Sequence, residues 1–346
     1  MIHIVWLLLI VHIHVCAKIP QKVVICGVCK DVAVRVPHSM KIMEKIGDLF
    51  ADYRIVVYEN NSSDNTPQIL KQWMQENKKV FAMSEVLSGL DLKKAVVNRL
   101  KDQRLFPSEA IARARNIVLD KVMSETYRDF LYVIWMDMDF KIEPVYEGFK
   151  EVFASQKTWD AVFSFGICPD NIYWDWYAFR DHQIPIGSEL LGNDWWYLPK
   201  RLKLDVHSDW YPVYSAFGGC GIYKKSALQG CRYSGIITED LGKLYQMLMD
   251  SKESEHQLVK QYRQNVKKIV TYVCVDVPNS ETPDIEDSNV GIRLTSLRET
   301  DLVWRMSSFV YKYPSVCEHV SLHASMIMRG HDKLFINPRL IFYYGG

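Results

Sequence analysis

The chain has 346 residues, 48% hydrophobic and 24% charged, with a formal net charge of +1. That length and balance describe a globular protein with a sizeable core, in one large or two small domains. No long basic or acidic block is present, which excludes a nucleic-acid partner held by phosphate neutralisation.

Residues 2–15 form an apolar run centred on Trp6, Leu7, Leu8 and Leu9 and interrupted by His3, His12 and His14. A membrane-spanning helix needs about 20 residues, and this run is shorter. Val15-Cys16-Ala17 offers a small-residue cleavage site before Lys18, so residues 1–17 read as a signal peptide or short hydrophobic anchor. That reading implies the secretory pathway or membrane association. No Lys or Arg precedes the run, so a buried or peripheral segment in a cytoplasmic protein is the alternative.

Residues 23–28 predict a buried first strand, and 36–50 the following helix, with Met40, Met43, Ile46, Leu49 and Phe50 near helical spacing. Cys26 and Cys29 have C-x-x-C spacing, but no second pair completes a zinc site, so they read as structural. A working signal peptide would favour some pairing among Cys168, Cys220, Cys231, Cys274 and Cys317. Residues 55–58 predict a second buried strand, which runs into a polar turn over 59–67. There Asp64 or Thr66 is the expected N-cap and Pro67 the first residue of a helix reaching 75. Strand, helix, strand, polar loop, helix opens a doubly wound sheet.

A third strand and loop follow at 80–88, then a basic, solvated segment at 90–101. Ile111, Ala114, Val118, Leu119 and Val122 give residues 108–122 one buried helical face, with Arg113 and Arg115 near the start. The apolar run 130–136 then ends in Asp137-Met138-Asp139, hard oxygen ligands beyond the carboxyl end of a strand, where open α/β sheets bind their ligands. Alone, such a pair is also an ordinary turn. Residues 161–166 predict another strand. Five of the ten Trp fall between Trp174 and Trp210, a density that fits either sugar stacking or a large core. Residues 217–225 are a glycine turn into a short strand, 240–310 helices joined by a mobile polar loop at 279–289, and 316–323 with 336–338 resume a motif-like texture.

In order, Glu59-Asn60-Asn61-Ser62-Ser63-Asp64-Asn65-Thr66, Ala112-Arg113-Ala114-Arg115-Asn116, Trp135-Met136-Asp137-Met138-Asp139 and Gly218-Gly219 resemble the GT-A class of nucleotide-sugar glycosyltransferases. The pattern is most similar to the large inverting family two group, and it also resembles the capsule-type mannosyltransferases. It covers residues 22–225 and resumes at 316–338.

The resemblance implies an α/β, Rossmann-like GT-A fold, with a mostly parallel central sheet flanked by helices, in one catalytic domain over residues 18–346. Residues 22–140 would bind the nucleotide sugar and 160–338 the acceptor, with an insertion near 240–310. The implied activity is metal-dependent, hexosyltransferase-like transfer of a sugar from a nucleotide-diphosphate sugar to a glycan, lipid-linked or protein acceptor. Mn2+ or Mg2+ would stabilise the diphosphate leaving group.

By the same resemblance, Asp139 is a direct metal ligand, Asp137 binds ribose or metal, and His323 completes the metal shell. Glu59 would hold the nucleoside, with Asn60 and Asp64 supporting the loop. Arg113, Arg115 and Asn116 would serve the diphosphate or the loop, through planar donors in the case of the arginines. The catalytic base is open between Asp240, in the literal Thr238-Glu239-Asp240 motif, and Glu318, which shares a helix with His323 at i+5. Trp174, Asp175, Trp176, Arg180, Trp195, Trp196, Gly218 and Gly219 lie on the acceptor side by chain order. The alternatives are a sugar nucleotidyltransferase, for which Gly27-Val28-Cys29-Lys30 is a poor phosphate loop, and a degenerate protein that only binds glycans.

Overall fold

The computed structural model describes residues 18–88, 107–169, 171–191, 195, 197–198, 200–266 and 316–344. The expected signal or anchor at 1–17, the basic segment at 90–101, the polar loop at 279–289 and Trp196 lie outside them. Eight strands form one sheet: β1 (Ile19–Cys29), β2 (Phe50–Asn60), β3 (Val80–Glu85), β4 (Tyr132–Met136), β5 (Ala161–Ile167), β6 (Tyr211–Pro212), β7 (Cys220–Lys224) and β8 (Leu334–Tyr343), in the order β3-β2-β1-β4-β7-β5-β8-β6. β3, β2, β1 and β4 pair in parallel; β7 enters antiparallel between β4 and β5, and β6 is antiparallel to β8. The α/β class and the mostly parallel sheet expected from the sequence are present.

The central strands read as continuous apolar runs because both faces are covered. Val24 and Cys26 of β1 face one core with Val118 and Leu119 of α3 (Pro107–Met123), Leu241 of α6 (Glu239–Asp250) and Val320 of α8 (Glu318–Met328). Val23 and Ile25 face the other, with Ile42 and Ile46 of α1 (Val36–Asp48), Trp73 of α2 (Thr66–Glu76) and Phe149 of α4 (Glu147–Ala154). The short α5 (Ser188–Leu191) and α7 (Gln257–Val266) complete the helices among the described residues. None of these helices is long and apolar enough to cross a membrane.

Local sequence explains most boundaries. Pro37 lies in the first turn of α1 and Pro67 in that of α2, where a missing N–H costs nothing. The residue capping α2 is Asn65, one position between the two expected. α1 stops at Asp48 rather than continuing to 50, because Phe50 is the buried first residue of β2. β8 was not anticipated as a strand: Pro338 sits in a bulge where pairing jumps from Ser164↔Asn337 to Phe165↔Ile341. Glu151 of α4 holds that bulge, accepting from Asn337 and, at 2.7 Å, from Arg339. Cys26, Cys29, Cys168, Cys220, Cys231 and Cys317 all carry free thiols, so the pairing that a signal peptide would favour is absent among the described residues.

Between β5 and β7, Gly218 and Gly219 adopt φ of 63° and 89°, the left-handed region that side chains avoid. A methyl on Gly219 would also meet the Tyr344 hydroxyl and the Phe140 ring. Gly219→Ala is therefore expected to cost about 1–3 kcal/mol, read as a lower urea midpoint than the wild type.

Candidate functional site

β1 connects leftward through β2 to β3, and the chain then returns to β4 on β1's other side, so strand order reverses between β1 and β4. A cleft of about 450 Å³ opens there, at the carboxyl ends of the strands, the position where open sheets take ligands. Cys29 at the end of β1, Lys30 after it, Asn60 of β2, and Asp137 and Asp139 after β4 line it. Ile111 and Arg115 of α3 and Tyr344 after β8 close it.

Asp137 is held on three sides. Its backbone N–H donates to the Gly219 carbonyl at 3.0 Å, the Tyr344 hydroxyl donates to Oδ2 at 2.7 Å, and Arg115 Nη2 lies 3.4 Å from Oδ1. Burial raises its pKa to about 7; Arg115 and the Tyr344 bond pull it down, and the nearby Asp139 and Asp175 push it up. Asp139 is half exposed at the mouth, with Arg35 3.6 Å away.

Arg115 is 4% exposed and packs against the Trp135, Phe217 and Tyr233 rings, its carbon 5.0 to 5.8 Å from their centroids. Its Nε donates to Glu318 Oε1 at 3.0 Å, while Nη1 has no partner. His319 stacks on Phe217 at 3.9 Å, and burial, then Arg115, push its pKa well below the usual imidazole value.

Other expected site residues have structural partners instead. Glu59 is buried, accepting from the Ser62 N–H at 2.7 Å and the Ser84 hydroxyl at 2.6 Å, so both oxygens brace the loop and neither faces a nucleoside. Asp64 supports the loop as expected, bonding the Thr66 and Ala33 amides at 2.9 Å and so tying the turn after β2 to the turn after β1. Arg113 leaves the cleft for the Tyr58 hydroxyl (2.8 Å) and Glu85 (2.9 Å). The Asn116 side chain clamps the backbone N–H and C=O of Tyr233, each at 2.9 Å.

The two expected bases part company. Asp240 lies in the first turn of α6, bonded to Ser325 at 2.7 Å and Arg329 at 2.6 Å, on the outer side of α8. Glu318 reaches Arg115, which lines the cleft. His323 does not follow it: five residues along a helix is a rotation of about 140°, and its ring is buried with Nδ1 2.8 Å from Ser215 Oγ and Nε2 3.0 Å from the Tyr223 hydroxyl. Burial lowers its pKa to about 3, and with both nitrogens engaged it offers a cation nothing. Among the described residues no cluster of three His, Cys, Asp or Glu is arranged to hold a metal ion.

On the expected acceptor side, Trp174 is 56% exposed and stacks on Tyr344 at 6.2 Å. Asp175 accepts from the Gly218 N–H at 3.1 Å and the Ala178 N–H at 3.4 Å. Burial raises its pKa to about 6 against those two bonds, with Glu318 adding to the rise. Trp176 packs edge-on against Tyr173 and Phe179, and Trp195 is buried. Arg180 is not an acceptor ligand: it is fully buried in a bidentate pair with Glu189, at 2.7 and 3.3 Å. Tyr344, the clasp on Asp137, had no signal in the sequence, being 207 positions away.

Two outcomes follow. Glu318→Ala leaves Arg115 buried and half-compensated, an expected loss of about 3–5 kcal/mol, whereas Asp240→Ala breaks a largely surface pair worth about 0–1 kcal/mol; urea unfolding of both variants separates them. Asp137 binds its proton more tightly folded than unfolded, so its contribution to stability falls as pH rises from the ordinary carboxyl pKa through about 7. Asp137→Asn removes that slope, and in unfolding experiments without divalent cation the variant gains on the wild type between pH 5 and pH 8.

No protein-family model matches the chain, and no curated protein matches it. Among solved structures it is similar to the mannosyltransferase PcManGT from Pyrobaculum calidifontis in complex with GDP-Man and Mn2+, at 13% identity and a TM-score of 0.36, over 66% of this chain and 53% of that one. It is also similar to S. aureus TarS 1-349 in complex with UDP-GlcNAc, at 14% identity and a TM-score of 0.34, over 62% and 48%. A third is glucosyl-3-phosphoglycerate synthase from Mycobacterium tuberculosis with Mn2+, UDP and glucosyl-3-phosphoglycerate, at 14% identity and a TM-score of 0.33, over 66% of each chain. The chain spans about half the length of the first two.

Proposed function

We propose that this protein is a metal-dependent glycosyltransferase that moves a sugar from a nucleotide-diphosphate sugar to a glycan, lipid-linked or protein acceptor. The observation that carries the reading is the cleft itself, with Asp137 and Asp139 at the reversal of strand order and Asn60, Lys30 and Arg115 around them. Its volume of about 450 Å³ suits a nucleotide.

The residues fit a hard divalent cation, which binds through one or two carboxylates and completes its shell with phosphate oxygens and water. Asp139, half exposed, is the ligand, and Asp137 stands behind it. When bound, the cation would supply charge stabilisation to the departing diphosphate. Lys30 adds an exposed positive charge at the mouth. Arg115 neutralises part of the acidic charge from behind, which keeps Asp137 oriented with Tyr344. Trp174 offers an exposed aromatic face for a sugar ring beside the cleft.

A thermal-shift screen of GDP, UDP and their sugars, with and without Mn2+, tests the reading. At least one nucleoside diphosphate is expected to raise the melting temperature with Mn2+ and to do little without it. Asp139→Ala should lose the Mn2+-dependent shift and fall at least tenfold in nucleotide-sugar turnover while melting like the wild type without ligand. Absence of any metal-dependent shift across the panel would overturn the proposal.

A further inference from the structure

Transfer to a hydroxyl with inversion needs a group that takes the hydroxyl proton within hydrogen-bond reach. Asp240 is bonded to Ser325 and Arg329, and Glu318 is 6% exposed and paired to Arg115. Asp175 is placed differently. Two backbone amides, Gly218 N–H at 3.1 Å and Ala178 N–H at 3.4 Å, fix its two oxygens, each of which keeps a further lone pair. The next residue of the same turn, Gly219, holds the Asp137 N–H through its carbonyl at 3.0 Å. One left-handed two-glycine turn therefore carries the acid behind the metal ligand on one side and Asp175 on the other.

The neighbouring aromatics point the same way. Trp174 immediately precedes Asp175, is exposed, and stacks on Tyr344, whose hydroxyl reaches Asp137 and whose side chain lines the donor cleft. Trp174 is thus packed on a residue that lines the cleft and is the chain neighbour of Asp175. The charged and titratable groups coupled to Asp175 include Glu318, Asp137, Arg115, Tyr173, Tyr344 and Cys317. Burial, and then Glu318, raise its proton affinity against the two amide bonds and Arg115, which suits a group that must receive a proton near neutral pH.

We propose that Asp175 is the catalytic base of the transfer, acting on a hydroxyl of a carbohydrate acceptor stacked on Trp174. The assignment rests on the glycosyltransferase reading above. As the acceptor oxygen bonds to the anomeric carbon, the bond from that carbon to the diphosphate oxygen breaks and its electron pair leaves with the nucleoside diphosphate. The hydroxyl proton passes to the Asp175 carboxylate and later to solvent, and the configuration of the sugar inverts.

The test uses the full chain with Mn2+ and whichever nucleotide sugar it turns over, with water as the acceptor and nucleoside diphosphate release as the readout. Asp175→Asn is expected to lower the rate about 10²- to 10⁴-fold, with donor KM and the nucleoside-diphosphate thermal shift unchanged. Azide attacks without giving up a proton, so added azide should raise the variant's rate at least tenfold, yield a glycosyl azide of inverted configuration, and accelerate the wild type far less. Asp175→Glu should recover part of the hydrolysis. A variant within a few-fold of the wild type, failure of azide to rescue it, or a product of retained configuration would overturn the assignment. A wild type inert towards every donor removes the transferase reading and this assignment with it; an active wild type with an unimpaired Asp175→Asn removes the assignment alone.

Discussion

The buried charge of Arg115 is the constraint on which the site depends. A guanidinium withdrawn from water must be matched by nearby anions or it destabilises the fold by several kcal/mol, and here the matching groups come from distant parts of the chain. Glu318 lies 203 positions away on α8, and Asp137 lies 22 positions away after β4. Three aromatic faces complete the enclosure. α3, β4 and α8 are thereby locked together, and the carboxylates they carry are oriented by one cation. Glu318 is held as the counter-ion of Arg115.

A second constraint comes from the antiparallel insertion of β7. Pairing β7 against both β4 and β5 brings the Gly218-Gly219 turn level with the end of β4, with Met136 opposite Cys220. Only glycine tolerates the backbone there, and only a missing side chain lets Tyr344 come close enough to clasp Asp137. The turn converts sheet topology into the placement of two acids, Asp137 on the strand side and Asp175 on the loop side. The cleft and the exposed Trp174 are consequently joined through Tyr344.

Much of the acidic and polar texture that suggested ligand binding serves the loops instead. Asp31, Asp64 and Thr66 cross-link the turns after β1 and β2, and Glu59 braces the second of them, by backbone and hydroxyl bonds of 2.6 to 3.0 Å. Such a network builds a rigid wall on one side of the cleft. The same residue types that bind ligands also satisfy orphan amides in turns, so composition at 59–66 could not separate the two roles. Arg180 illustrates the same ambiguity: one position among many aromatics reads as a sugar ligand, yet its nearest carboxylate is Glu189, nine residues on and equally buried.

Residue order alone determined the alternation of strands and helices, the acid pair ending β4, and the glycine turn, because burial periodicity, proline and glycine act locally. It also marked Arg115, Asp137, Asp139 and Trp174 as candidate site residues. Only the tertiary structure decided which of these meet. The rotation of α8 separates His323 from Glu318, the bulge at Pro338 hides β8 from any strand pattern, and the return of β8 beside β5 delivers Tyr344 to Asp137. Those outcomes depend on pairings between residues one to two hundred positions apart, whose geometry is set by sheet order and helix phase.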